Sequence, residues 1–252
     1  MEPIQQQEQY KVLLIGDSCI DKYVYGICER LNPEAPVPIL NYKNIKTNMG
    51  MAWNVKNNLM SFGVNVDMIT QKEEIIKTRY IDEKSNQQIL RVDEDPPIRP
   101  LNYYFPEQKY DALVISDYDK GFLTTERIFE LVDLFDGPIF IDSKKTFLPT
   151  KKCYIKINDL EYKKLKNPSD NLIITKGGKG AEYDGVLYSS ENLNVFDVVG
   201  AGDTFLSALV VFYLKYAKIE LAIPYANRAA GIAIQHQGTY VLNPVDIDAI
   251  CN

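Results

Sequence analysis

Short runs of apolar, β-branched residues recur along this chain, and helical patterns fill the gaps between several of them. The runs fall at Val12–Ile15, Val64–Ile69, Ala112–Ile115, Pro138–Ile141, Tyr154–Ile157 and Leu172–Thr175. The helical patterns cover about 52–62, 124–134, 159–166, 203–217 and 219–236. Brief strands alternating with helices predict an α/β fold with a mostly parallel central sheet. Several runs end in a polar residue or a glycine: Gly16-Asp17, Ser116-Asp117, Asp142-Ser143, Asn158 and Lys176-Gly177. Ligands of such sheets bind at the carboxyl ends of the strands, so Asp17, Asp117, Asp142, Asn158 and Lys176 are expected along one edge.

Two stretches break this rhythm. Residues 22–47 hold Tyr23, Val24 and Tyr25, a proline-rich PEAPVPIL and a further extended segment; residues 75–93 read as a hairpin turning near Asp82–Asn86. Together they predict a small antiparallel sheet projecting from the core, either a lid over the strand ends, a dimer contact, or an edge hairpin without function. The segment 96–108 is turn-rich and reads as a surface connection. With 252 residues, 46% of them apolar, the chain can bury one sizeable core, and 1–252 reads as one domain with this appendage.

The net charge of −6 argues against a nucleic-acid partner, which requires a basic face. No apolar run approaches the length of a membrane span. The polar start MEPIQQQEQ lacks a signal-peptide pattern and reads as a frayed end, so a cytoplasmic location is expected. Cys19, Cys28, Cys153 and Cys251 fit neither a zinc site nor a CxxC motif and read as free thiols. The single histidine, His236, excludes a two-histidine metal site and reads as a solvated helix-end residue. Acid–base chemistry is then left to carboxylates and lysines.

Residues 197–205, DVVGAGDTF, carry the strongest chemical signal. Gly200, Ala201 and Gly202 are small enough to bring backbone N–H groups against a ligand. Asp203 follows where a helix should begin. Bare amides at the positive end of a helix form an anion site, and a carboxylate there can serve as general base beside a phosphate. No GxxxxGK[S/T] loop is present, so phosphate chemistry requires this other cradle.

At DVVGAGDTF the chain resembles the ribokinase/PfkB carbohydrate kinases, and the likeness runs over nearly its whole length. GDSCIDKYVYG (16–26) is similar to the family's first strand and sugar loop, and GMAWNV (50–55) to its second motif. NDLE (158–161) matches its Asn-x-x-Glu, TKGGKGA (175–181) its nucleotide-side loop, and ANRAAGIAI (226–234) the helix behind the adenine. LNPEAPVPIL (31–40), SNQQILRVDED (85–95) and SDYDKG (116–121) further resemble the bacterial kinases that phosphorylate D-glycero-D-manno-heptose 7-phosphate at its anomeric hydroxyl. The resemblance implies a ribokinase-like three-layer sandwich, ATP and Mg2+ as cofactors, and a small-molecule sugar or sugar phosphate as substrate.

Residue by residue, it implies Asp203 as catalytic base and the amides of Gly200, Ala201, Gly202 and Asp203 as the hole for developing charge. Asn158 and Glu161, three residues apart on one helix face, would stand near magnesium and the phosphates, through water; a plain helix cap is the alternative for Asn158. Thr175, Lys176, Gly177 and Gly180 would line the ATP site, with Ala226 and Asn227 near the adenine. Asp17, Asp21, Gly50 and Asn54 would meet the sugar. A sugar that already bears a phosphate also needs cations, and Arg91, Lys120 and Arg79 are the candidates; each can also be a surface charge. Asp142 and Lys144 either assist or form a solvated turn.

Three departures accompany the resemblance. Met51 stands where the family usually has a second glycine, and Trp53 where a small residue is usual, unless Trp53 simply faces the core. After 65–71 the chain passes almost directly to the hairpin at Ile75, and a helix is missing around 96–110, so one or two flanking helices are lost. Dimerisation through the lid becomes the more plausible with less core to bury. The competing reading is a non-catalytic homologue that binds a nucleotide or sugar as a regulatory subunit. A nucleoside or simple hexose kinase is a further alternative.

Overall fold

The computed structural model describes residues 9–102, 109–167, 169–191 and 194–252. The expected frayed end at 1–8 and part of the surface connection, 103–108, lie outside them. Eight strands form the large sheet: β1 (Lys11–Gly16), β4 (Asn65–Ile69), β7 (Ala112–Asp117), β8 (Ile139–Ser143), β9 (Tyr154–Asn158), β10 (Leu172–Thr175), β11 (Ala181–Tyr183) and β12 (Val186–Tyr188). Their spatial order is β12-β11-β10-β9-β8-β7-β1-β4. All neighbours from β4 to β10 are parallel, and β11 and β12 close the edge as an antiparallel hairpin.

Period-2 alternation sorts the strand residues onto two faces. Val12 and Leu14 of β1 pack under α1 (Ala52–Ser61), α4 (Ala201–Tyr216), α5 (Ile219–Ala233) and Ile250 of α6 (Pro244–Cys251). Leu13 and Ile15 face the other way, against Ile128, Leu131 and Val132 of α2 (Thr125–Leu134). Loop residues such as Leu101, Phe122, Leu123 and Leu148 complete this second face. No helix joins β4 to the next strand, and none is found among the described residues of 95–111, in line with the expected shortening.

The small sheet contains β2 (Ser18–Leu31), β3 (Pro38–Met51), β5 (Ile76–Asp82) and β6 (Gln87–Glu94), in the order β3-β2-β5-β6. It is not wholly antiparallel as expected. β2/β3 and β5/β6 are antiparallel hairpins, but β2 and β5 pair in parallel, Ile20 against Ile76 to Gly26 against Asp82. The cause is the route of the chain. β2 leaves the carboxyl end of β1, and β5 leaves the same edge after β4, so both travel in one direction. The strands also extend further than 22–47 and 75–93, reaching Ser18 and Met51 at the edge of the large sheet.

Two elements escaped the sequence reading, and one is shorter than expected. The β11–β12 hairpin turns on Asp184 and Gly185, both left-handed (φ 48° and 74°), the usual Asp-Gly turn for two short strands. Helix α6 starts at a capping box between Asn243 and Asp246, with Pro244 in its first turn. The helix expected over 159–166 is a single turn, α3 (Asp159–Tyr162). Beyond it, the Lys166 amide donates to the Thr146 carbonyl and Leu165 packs against the second core face, which pulls the chain out of helical geometry.

Candidate active site

Gly200 has φ 78°, and a Cβ there would lie 2.7 Å from Asn54 Nδ2 and 3.4 Å from Thr239. Only glycine meets both conditions without strain. The turn launches α4, and the Ala201 amide bends back to the Val198 carbonyl at 3.3 Å. Among the described residues, the amides of Gly202 and Asp203 meet no acceptor, leaving first-turn donors for an anion. Of the four amides expected to form the anion hole, only that of Ala201 is committed; the Gly200 amide, like those of Gly202 and Asp203, meets no acceptor among the described residues.

Asp203 is 2% exposed. Its Oδ1 accepts from the Tyr118 hydroxyl at 2.5 Å and its Oδ2 from Asn54 Nδ2 at 3.1 Å. Burial pushes its pKa up to about 6, against the pull of these two hydrogen bonds and the Lys156 charge. A carboxylate titrating there is ionised at neutral pH and still basic enough to take a proton. Asn54 also leans on the Gly200 carbonyl (3.4 Å), and its own Oδ1 accepts from Asn58. Its side chain holds the carboxylate and the turn together rather than standing free for a sugar.

Lys156 was missed in the sequence. It is the one charged residue of β9, 5% exposed, and its ammonium bonds Asp142 and the Gly202 carbonyl, the latter at 3.3 Å. A lysine inside the apolar run YIKIN was the available signal, because a buried ammonium needs a partner. Of the two residues expected either to assist or to form a solvated turn, Asp142 is taken by Lys156, and Lys144 lies over the Tyr118 ring. Tyr118 was likewise passed over, although its segment SDYDKG had been singled out.

Among the residues expected to meet a sugar, Asp17 is fully buried. Its Oδ2 accepts from the Tyr118 amide (2.7 Å) and, at 3.4 Å, the Lys120 amide; its Oδ1 has no partner. Burial and the nearby Asp117 push its pKa up to about 6. Such an orphaned oxygen is an acceptor waiting for a hydroxyl. Asp21 Oδ1 is held by Arg79 Nη1 at 2.6 Å and its Oδ2 by the Cys19 thiol at 3.7 Å. Gly50 lets β3 pass this carboxylate, since a Cβ would fall 2.2 Å from Asp21 Oδ2. Next to it, Met51 takes φ 56°, ψ −130°, a conformation natural to the glycine the family pattern expects. Trp53 is half-buried beneath Lys56, 4.8 Å from its ring centre, and belongs to neither large core cluster.

None of the three cations expected for a substrate phosphate is unpaired. Arg79 binds Asp21, Arg91 forms a two-point bridge to Asp93, and Lys120 binds Asp95.

On the far side of the turn lies a mostly apolar cleft of about 260 Å3, walled by Thr175, Gly177, Gly180, Gly202, Phe205 and Asn227. Gly180 (φ 100°) is required there, because a Cβ would meet the Tyr188 carbonyl at 2.1 Å. The Thr175 hydroxyl is donated to the Ile157 carbonyl, and Asn227 Nδ2 to the Tyr188 carbonyl. Two expected contacts lie elsewhere. Ala226 is packed in the core, and Ala230 and Gly231, one turn on, line the cleft. The Lys176 ammonium pairs with Glu182 of β11.

Asn158 and Glu161 form a reciprocal capping box, so the plain-cap alternative is realised. Among the described residues no group of three or more His, Cys, Asp or Glu could cage a metal. Magnesium in phosphoryl-transfer sites rests on one or two carboxylates plus the phosphates themselves. Glu161 fits that role with its second oxygen, which has no partner among the described residues.

A mostly parallel sheet flanked by helices, a small sheet at its carboxyl edge and a buried acid behind a glycine turn define a ribokinase-like carbohydrate-kinase fold. The profile of the pfkB family carbohydrate kinases matches residues 157–246, so the chain carries a domain of that family. The match takes in the capping box, the glycine loop and the Asp203 turn. The chain is 31% identical over 286 aligned residues to the bifunctional protein HldE of Nitratiruptor sp., covering 90% of this chain and 62% of that protein. That alignment is longer than the 252 residues here, so the relative carries segments this chain lacks. The chain spans a little under two thirds of such relatives. Among solved structures it is similar in fold to phosphofructokinase-2 of Escherichia coli (TM-score 0.70, 15% identity, 96% of this chain and 97% of that one). It is also similar to a ribokinase of Arabidopsis thaliana complexed with ribose and ATP (TM-score 0.67, 14% identity, 96% and 99%).

Proposed function

We propose that this chain transfers the γ-phosphoryl group of ATP to a hydroxyl of a sugar or sugar phosphate, with heptose 7-phosphate at its anomeric position as the favoured acceptor. The observation that carries the reading is Asp203. It is a buried carboxylate with a near-neutral pKa at a helix start where the Gly202 and Asp203 amides meet no acceptor among the described residues, with an apolar cleft on one side and the orphaned Asp17 oxygen on the other.

The sugar hydroxyl displaces the Tyr118 phenol from Asp203 Oδ1, which then accepts the hydroxyl proton as the oxygen attacks. Asp17 Oδ1 takes a hydrogen bond from a neighbouring hydroxyl and fixes the ring. The Gly202 and Asp203 amides meet the developing charge on the transferring group. Lys156, under the Gly202 carbonyl, keeps the turn positive. The purine rests in the cleft beside Asn227. Magnesium would supply charge neutralisation at the phosphates, and Glu161, one of whose oxygens has no partner among the described residues, would hold it.

Incubation with ATP, magnesium and a sugar panel that includes heptose 7-phosphate tests the reading. ADP release with one acceptor and not the others is expected. ATP binding without turnover would favour a regulatory, non-catalytic homologue, which the strained Met51 and the shortened chain support. The reading includes a homodimer through the small sheet, supported by its outer face, where Ile45, Met49, Leu90 and Val92 are exposed. No helix among the described residues is long and apolar enough to cross a membrane.

A further inference from the structure

The cations around the acceptor side divide into two groups. Arg79, Arg91, Lys120, Lys145 and Lys156 each reach a carboxylate. Lys77 and Lys144 do not: among the described residues neither ammonium has a carboxylate within 4.0 Å. Both are gathered on one aromatic ring, 5.7 Å and 4.7 Å from the centre of Tyr118, whose hydroxyl holds Asp203.

The two lysines come from opposite sides of the site. Lys77 is on β5 of the small sheet, in register beside Asp21, and so on the buried face of that sheet. Asp21 itself is committed to Arg79 and Cys19. Lys144 follows β8 of the large sheet, its amide fixed on the Asp117 carbonyl, and its side chain is exposed. Its neighbour Lys145 turns the other way, to Asp117 and Asp119. Burial holds the Lys77 pKa below its usual value, against the pull of Cys19 and Asp21 and with smaller help from the charges of Lys120 and Lys144. Two ammonium groups facing one ring, Lys77 half-buried and neither in a salt bridge, repel each other and favour an anion that joins them.

We infer that Lys77 and Lys144 form the subsite for a phosphate that the acceptor sugar already carries, and so select sugar phosphates over sugars. The inference rests on the proposed kinase reading and deepens it. The acceptor is favoured over ATP as the source of the anion because Tyr118 donates its amide to Asp17, while neither lysine lines the nucleotide cleft.

The test is titration calorimetry without nucleotide. Heptose 7-phosphate, fructose 6-phosphate and their dephosphorylated counterparts are titrated into the wild type, Lys77→Met, Lys144→Met and, as a charge control, Lys164→Met. Each of the first two substitutions should weaken sugar-phosphate binding about ten- to a hundredfold, the range for one charge-assisted hydrogen bond. Binding of the unphosphorylated sugars should change less than about twofold, and Lys144→Arg should restore part of the loss. Equal losses for both sugar classes, no loss at all, a wild type indifferent to the phosphate, or a fall in ATP affinity instead would each overturn the assignment. ADP release is measured separately. Selective sugar-phosphate binding without turnover keeps the subsite and removes the kinase reading. Turnover without that selectivity does the reverse.

Discussion

The hydroxyl of Tyr118 donates to Oδ1 of Asp203 over 2.5 Å, and the amide of the same tyrosine donates to Asp17. One residue thus ties the proposed base to the carboxylate that awaits the sugar. Its bond stabilises the charged form of Asp203 and works against burial. Tyr118→Phe should therefore raise the Asp203 pKa further above 6. The acid limb of kcat/KM should move to higher pH, with a several-fold loss near pH 6.5 that is recovered above pH 8. A pH–rate profile of the variant checks this.

Asp203→Asn should lower kcat by about 10²–10⁴, the range for losing a general base. Stability should move the other way. An acid whose folded pKa lies above its unfolded value makes the folded state prefer the proton, so it stabilises least at high pH. The native protein should gain stability as pH falls from about 6 towards 4 on account of this group. At pH 7 the amide variant should melt at or above the wild-type temperature, as thermal denaturation can show.

Lys156→Met should reduce kcat by about 10²–10³, as removal of a charge-stabilising donor does, with little change in the KM for ATP. The single change strands Asp142, half-buried, without its partner. Asp142→Asn combined with Lys156→Met should refold that site while leaving kcat low, and the comparison separates charge stabilisation from folding.

Gly50→Ala should displace Asp21, because the new methyl would lie 2.2 Å from its Oδ2. The Asp21–Arg79 pair would loosen, and the KM for sugar should rise about tenfold or more while that for ATP stays put. Steady-state kinetics with each substrate varied in turn is the measurement.

Leu90→Asp should shift the protein from dimer to monomer if the outer face of the small sheet is self-complementary. Light scattering on the eluted peak reads the mass directly.

The parallel strands were legible because each is a short apolar run with a polar end, and their carboxyl edge collected Asp17, Asp117, Asp142 and Asn158 as expected. What escaped was set by partners distant in sequence. The parallel β2–β5 seam depends on where β4 delivers the chain. Lys156 looks like a mispatterned strand residue until Asp142, fourteen positions earlier, is seen opposite it. Arg79, Arg91 and Lys120 looked available because nothing in the sequence reveals the carboxylates that neutralise them. The β11–β12 hairpin and α6 were different, since Asp184-Gly185 and Asn243-Pro244 announced them locally.

Asp17 is the only residue between β1, in the large sheet, and β2, in the small one. Of the places where the chain passes between the two sheets, this is among the tightest: one residue makes the crossing, gripped from the side by the Tyr118 and Lys120 amides. The residue that carries the chain from one sheet to the other also holds the unpartnered Oδ1, so a ligand bound by that oxygen would sit directly on a seam between the two sheets.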